Sequence, residues 1–289
     1  MSANAPVHAG DPEHDLPRSR APVTSPLPPL GRADREDLQL ARALLERPGV
    51  AAQLANAIGA PLEALLGRRL PARVSKLVDS ATRRALEQAL RAAVASLGGR
   101  RGARPASTRG HTFAAAATGA AGGAFGLAGL AVELPLTTTL ILRSIADIAR
   151  SEGESLDDPH AALACFEVLT MGGPAAGDDA AESGYFAARA VLAQQMASAA
   201  EYIALHGLSG QGGPVIVQLL SAIASRFSVT VSQKVAVQAV PVVGAATGAA
   251  LNTLFMRHFQ RMARGHFIVR RLVRRHGVDA VRRAYEACA

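Results

Sequence analysis

Residues 113–132 read FAAAATGAAGGAFGLAGLAV, and residues 235–256 read VAVQAVPVVGAATGAALNTLFM. Neither stretch contains a charged residue, and each is long enough to cross a bilayer as a helix. Their many alanines and glycines make insertion into lipid only marginally favourable. Glycines four positions apart let helix backbones approach closely, so we expect the two stretches to pack together, in lipid or in a protein core. The candidate packing glycines are Gly119, Gly122, Gly123, Gly126, Gly244 and Gly248.

A helical hairpin is predicted over residues 113–150. Glu133-Leu134-Pro135 interrupts the first apolar stretch, because proline disfavours helical geometry in the residue before it. A new helix is then expected from about 135 to 150, with Arg143 and Asp147 four positions apart and able to pair. Full insertion would bury their charges in lipid. A shallow or re-entrant hairpin, or burial against other helices, is therefore favoured over two plain spans.

The rest of the chain predicts an all-α fold. Residues 1–33 hold seven prolines and show no apolar periodicity, so we expect a disordered tail followed by one helical domain over 34–289. Helical spacing of apolar residues and helix-stop signals recur through that domain, and no alternating strand pattern is found. The further predicted helices cover 34–47, 50–58, 61–68, 71–97, 158–172, 185–206, 215–226, a start near 229–234, and 278–287.

Basic residues are concentrated on either side of the apolar middle. Residues 68–109 contain 11 basic and 2 acidic residues, and residues 257–289 contain 9 basic and 2 acidic ones. The 71–97 helix is expected to be amphipathic with an arginine-rich polar side. Such segments are typical of binding to an anionic membrane surface or to nucleic acid, and also of an arginine-rich face that is simply exposed to solvent. The absence of tryptophan and the 4% aromatic content disfavour a base-stacking surface for nucleic acid.

Sequence motifs for catalysis or cofactor binding are not found. The chain lacks a P-loop, a dinucleotide fingerprint and an H-E-x-x-H motif. Cys165 and Cys288 are too far apart in sequence to suggest a metal cluster. His258 and His266, eight positions apart, are expected to be polar or capping residues and not metal ligands. We therefore assign no catalytic residue, no metal and no cofactor.

Polar residues inside apolar segments are the most informative positions. A buried charge persists only when it is paired or hydrogen-bonded. We predict one buried structural network from these residues, with a functional polar pocket as the alternative interpretation. The network residues are Glu133, Arg143, Asp147, Arg226 and Asn252.

The order of several short motifs resembles the EcsC family of bacterial proteins over about residues 70–285. The resemblance implies an α-helical domain of uncharacterised activity and carries over no catalytic residue. The family is named for a gene beside an ABC-type transporter, and a transporter partner would rest on that name alone. The motifs are GGAFG (122–126), ELP (133–135), RSIA (143–146), LDDP (156–159), YF (185–186) with Arg189, SRF (225–227), VPVVGA (240–245), NTLF (252–255), HF (258–259) and ARGHF (263–267).

The leading functional hypothesis is a non-enzymatic, membrane-associated protein on the cytoplasmic side of the inner membrane. Its arginine-rich segments would contact anionic lipid, and its apolar helices would pack or insert shallowly. The alternative is a soluble, cytoplasmic helical enzyme or ligand-binding protein with a buried polar pocket. Nucleic-acid binding is a third and weaker hypothesis. The oligomeric state, substrate and physiological partner do not follow from the sequence.

Overall fold

A computed structural model describes residues 28–46, 53, 71–95, 107–125, 129–171, 184–207, 213–238 and 245–288. Within these ranges the chain forms nine α-helices and one 3-10 turn (Val168–Thr170), and no residue is in a strand, which confirms the all-α class. The predicted helices at 50–58 and 61–68 lie outside the described residues, apart from Gln53. In chain order the helices are α1 (Arg32–Leu45), α2 (Ala72–Ala95), α3 (Thr108–Phe125), α4 (Leu130–Ser151), α5 (Pro159–Glu167), α6 (Gly184–His206), α7 (Pro214–Gln238), α8 (Ala245–His276) and α9 (Val278–Ala287).

Helices α3 and α8 are in close contact through glycine. A Cβ on Gly119 of α3 would lie 2.6 Å from Asn252 Cβ of α8, and it would also overlap the Gly248 carbonyl. A Cβ on Gly122 would overlap the Glu133 side chain of α4. Only glycine leaves room for these contacts. The two apolar stretches that were expected to pack are therefore in contact, through Gly119 and Asn252. Gly123 lies in α3, whereas Gly126 and Gly244 lie outside the described residues.

The predicted hairpin has its turn earlier than expected. Helix α3 ends at Phe125 and α4 begins at Leu130, so the expected break at Glu133-Leu134-Pro135 is wrong. Pro135 instead lies near the start of α4. There its missing N–H removes only one helical hydrogen bond. The uncharged stretch 113–132 is therefore divided between two helices.

Other helix ends follow local signals. Asp158 caps α5 by accepting a hydrogen bond from the His160 backbone N–H at 2.9 Å, with Pro159 in the first turn as expected. Gly207 follows α6 with a φ of +63°, in the left-handed region that favours glycine. Helix α7 continues from Pro214 to Gln238 without the predicted interruption near residue 227.

The helices enclose two hydrophobic cores that share α8. The main core draws on α2 to α8 and contains Phe227, Phe255 and Phe259 in edge or tilted contact. A smaller core is formed by α1, α9 and the C-terminal half of α8, including Leu38, Leu272 and Tyr285. Leu30 packs against this second core. The folded part therefore extends N-terminally beyond the predicted boundary at residue 34.

Candidate functional site

An ion pair between Lys234 of α7 and Glu133 of α4 lies in the main core. Lys234 Nζ donates to Glu133 Oε1 at 2.6 Å, and the two side chains are only 1% and 3% exposed. The ammonium also lies 5.4 Å from the centre of the Phe255 ring, within cation–π range. Burial lowers the pKa of Lys234, although the Glu133 carboxylate opposes the shift. A buried pair of this kind is stable only while both partners are present.

Asn252 of α8 extends this polar contact to a third and a fourth helix. Its Nδ2 lies 3.1 Å from the Ala115 carbonyl of α3, 3.3 Å from Thr118 Oγ1 of α3 and 3.3 Å from Thr137 Oγ1 of α4. Thr137 is one helical turn from Glu133, so the two sets of contacts adjoin on α4. We call this group the polar layer: Thr118, Glu133, Thr137, Lys234 and Asn252.

The polar layer is suited to holding helices in register. Its hydrogen bonds form only when α3, α4, α7 and α8 are correctly aligned, and misalignment would leave buried charges unpaired. Both of its charged side chains are nearly inaccessible to solvent. The described residues therefore offer a substrate no approach to the Lys234 amine, and the layer fits a structural role better than a binding pocket.

The five residues of the predicted buried network do not lie together. Glu133 and Asn252 belong to the polar layer, but Arg143 is exposed, which contradicts its expected burial. Asp147 pairs with His111 (Nε2 to Oδ2, 3.0 Å) and Arg150 (Nη1 to Oδ1, 3.1 Å), and not with Arg143. Arg226 is only partly buried, on α7. The spacing of residues along a helix predicts which residues share a face with Arg143. It does not predict whether that face packs against the core.

The two histidines of α8 are buried in the middle of the helix, so of the two expected roles, polar or capping, the capping role is wrong. His266 Nδ1 lies 2.9 Å from the Tyr185 hydroxyl of α6. Its Nε2 faces Glu167, whose Oε1 accepts a hydrogen bond from Arg189 Nε at 3.1 Å. Burial, together with the positive charge of Arg189 and Arg270, lowers the pKa of His266 well below its usual value. This histidine is therefore neutral and links α6 to α8.

His258 is likewise neutral. Burial, helped by the nearby Arg261 charge, lowers its pKa to about 4. The part of the chain that the structure describes contains no grouping of three His, Cys, Asp or Glu side chains able to hold a metal ion. Burial also raises the pKa of the Cys165 thiol to about 12, which leaves it protonated and unreactive.

Exposed basic residues lie along α2 and at the start of α3. Phe113, one turn after Arg109, is 79% exposed. We call this region the α2–α3 basic face. Its exposed basic residues are Arg73, Lys76, Arg83, Arg84, Arg91 and Arg109.

The arginines near the end of α8 are largely neutralised by carboxylates. Arg270 and Arg274 both contact Glu154, which is only 5% exposed. Arg271 contacts Asp37 of α1 and Glu152. Much of the second basic segment therefore serves to hold α1 and the 152–154 turn against α8. Arg257 and Arg264 of the same helix have exposed side chains.

Sequence reasoning missed Lys234. A signal was present: it is one of two lysines against 29 arginines, and it immediately precedes the second uncharged stretch. Lysine is a compact charge that a single carboxylate can neutralise. The partner could not be identified, because Glu133 is 101 positions away.

These features define an all-α protein whose central helices pack through glycines around one buried polar layer. The EcsC protein family model matches residues 38–272, and the chain belongs to this family. No curated protein and no solved structure matches the chain.

Proposed function

We propose that this EcsC-family protein is a non-enzymatic protein that binds the anionic, cytoplasmic surface of the inner membrane through the α2–α3 basic face. The observation that carries the proposal is Phe113, which is 79% exposed beside Arg109. A large apolar side chain next to basic residues can enter the headgroup region while the charges attract anionic lipid. Three further arginines, at 100, 101 and 104, precede it in the sequence.

The expected affinity is moderate. The α2–α3 basic face has six exposed basic residues, and α2 also carries Asp79 and Glu87. At about 1 kcal/mol per net basic charge, four charges contribute about 4 kcal/mol, and burial of Phe113 adds about 2 kcal/mol. A total of about 6 kcal/mol corresponds to a dissociation constant of tens of micromolar. This range is typical of reversible, peripheral binding.

Surface association fits the helices better than a bilayer crossing. Among the described residues one helix, α7, is long and apolar enough to span a membrane, over Pro214–Ala236. Half of that window is buried inside the protein, and it includes the Lys234 charge. The core helix of a water-soluble protein passes the same test of length and composition, so α7 by itself does not argue for insertion.

Vesicle sedimentation of the full chain tests the proposal. We expect binding to vesicles of equal parts phosphatidylglycerol and phosphatidylcholine, release by high salt, and no binding to phosphatidylcholine alone. Phe113→Ala should weaken binding by at least tenfold, since it removes the inserted ring. Leu205→Ala is the matched control, because Leu205 is 72% exposed on α6. Equal binding of both lipid mixtures, or equal effects of the two variants, would refute the proposal.

A further inference from the structure

We infer that α1 is a removable cover, with acidic residues facing inward, over a second lipid-binding surface on α8, and that its release strengthens membrane binding. The inference deepens the proposed function and rests on it. The covered surface consists of an apolar centre with a basic rim at the C-terminal end of α8. Its residues are Ile268, Val269, Arg271, Leu272, Arg275 and His276.

Charge complementarity joins α1 to this surface. Asp37 contacts Arg271. Asp34 lies 3.2 Å from His276 Nε2 and 3.8 Å from Arg275 Nη1. The outer face of α1 differs, since Glu36 is exposed and pairs with Arg32 of its own helix. The acidic residues that face α8 therefore occupy the positions that lipid phosphates would take.

The apolar contacts of α1 are mainly with the smaller core. Leu38 and Ala41 are the α1 side chains that are fully buried, and they pack into the smaller core with Val269 and Leu272. Leu45 of α1 also packs against the main core, so detachment of α1 would open the main bundle only at that point. Detachment of such a peripheral element costs less free energy than global unfolding.

Glycine at position 265 allows α1 to sit close to α8. A Cβ on Gly265 would lie 2.7 Å from Leu45 Cγ and 2.9 Å from the Ala41 carbonyl of α1. The carbonyl is backbone and cannot turn away as a flexible side chain can. A larger residue at this position should therefore push α1 off α8 without changing the charge of the protein.

The exposed surface would suit an anionic membrane. Release of α1 removes Leu38 and Ala41 from the smaller core and opens its apolar side chains, Val269 and Leu272 among them, beside the arginines of α8. Such a surface suits an interfacial helix that buries its apolar side below the headgroups. Nucleic acid would use the arginines but has no comparable use for the apolar centre. Glu152 contacts Arg271 at 3.2 Å independently of α1, so the gain in positive charge comes mainly from Arg275.

Two variants of the full chain release α1 by different means. Asp34→Asn/Asp37→Asn removes the charges that face α8, and Gly265→Val acts by steric exclusion. The control Glu36→Gln/Glu286→Gln also removes two acidic charges, but both of these residues pair within their own helices. Amide hydrogen exchange of residues 32–45 reports release, and sedimentation with the same phosphatidylglycerol–phosphatidylcholine vesicles reports binding.

We expect faster exchange in residues 32–45 and at least fivefold tighter vesicle binding for both releasing variants than for the control, as one newly available arginine would give. If the wild type binds vesicles but the two double variants bind equally well, the inference is overturned and the proposed function stands. Absence of vesicle binding by all the proteins would remove the proposed function as well. Tighter binding to duplex DNA without tighter binding to vesicles would also overturn the inference.

Discussion

The Glu133–Lys234 ion pair makes the stability of the main core depend on two residues at once. Lys234→Met leaves the Glu133 carboxylate buried without its cation, and we expect a loss of about 3–5 kcal/mol in the free energy of unfolding. Lys234→Met/Glu133→Gln removes both charges and should lose much less. Lys76→Met, at the other lysine of the chain and exposed on α2, is the control. Urea unfolding gives the free energy of unfolding of the wild type and the three variants. A double variant as unstable as Lys234→Met would show that the two residues are not coupled.

His258 predicts a pH dependence of stability. Its pKa is about 4 in the folded protein and about 6.5 in the unfolded chain, so the unfolded chain binds the proton first. The stabilisation is therefore complete above pH 6.5. As the pH falls from 6.5 to 4 it is lost, at about 1.4 kcal/mol per pH unit for this residue. His266, whose pKa is also lowered, acts in the same direction.

The His258 contribution is measured by difference. His258→Gln removes one titrating group, so its free energy of unfolding should decline less steeply between pH 6.5 and pH 5 than that of the wild type. Urea unfolding at several pH values in this interval provides the slopes. Identical slopes for the two proteins would mean that the pKa of His258 is the same in the folded and unfolded states.

At the scale of single helices, the contact between α3 and α8 explains why alanine should be harmful at one glycine of α3 and helpful at another. Gly119→Ala places a methyl group against Asn252 and the Gly248 carbonyl, and we expect a loss of about 1–3 kcal/mol from overpacking. Gly110→Ala is the matched control on the same helix. Its Cβ would meet only Ser107 Oγ at 3.1 Å, and the higher helix propensity of alanine should add up to about 1 kcal/mol. Thermal unfolding tests both signs, and a stabilised Gly119→Ala would contradict the described packing.

The elements were more predictable than the contacts between them. Apolar periodicity and local stop signals located most of the helices, including the Asp158 cap and the Gly207 end, because these depend on neighbouring residues. The break at Pro135 was misplaced, since the cost of proline depends on its position within a helix. The burial of Arg143 was misjudged, and Lys234 was missed, because both depend on how distant helices face each other. Sequence reasoning thus found Glu133 and Asn252 but not the residue that pairs with Glu133.

At the scale of the whole molecule, charge is distributed unevenly in a way that the net value of +8 conceals. The α8 arginines at positions 270, 271 and 274 are held by carboxylates from α1 and from residues 152–154. The basic residues of α2 lie on its exposed side, while Val78, Ala85 and Leu86 of the same helix are buried. The positions of the basic residues, and not the net charge, should therefore determine how the protein binds an anionic surface.

Two adjacent arginine pairs separate these effects. Arg83→Gln/Arg84→Gln on α2 and Arg282→Gln/Arg283→Gln on α9 change the net charge equally, and all four arginines are exposed. If the α2–α3 basic face makes the membrane contact, the α2 variant loses about 2 kcal/mol of binding, or about 30-fold in affinity. The α9 variant should lose less than about threefold, because its charges act only through long-range attraction that salt screens. Titration with phosphatidylglycerol–phosphatidylcholine vesicles at physiological salt measures both, and equal losses would mean that net charge, and no particular face, governs binding.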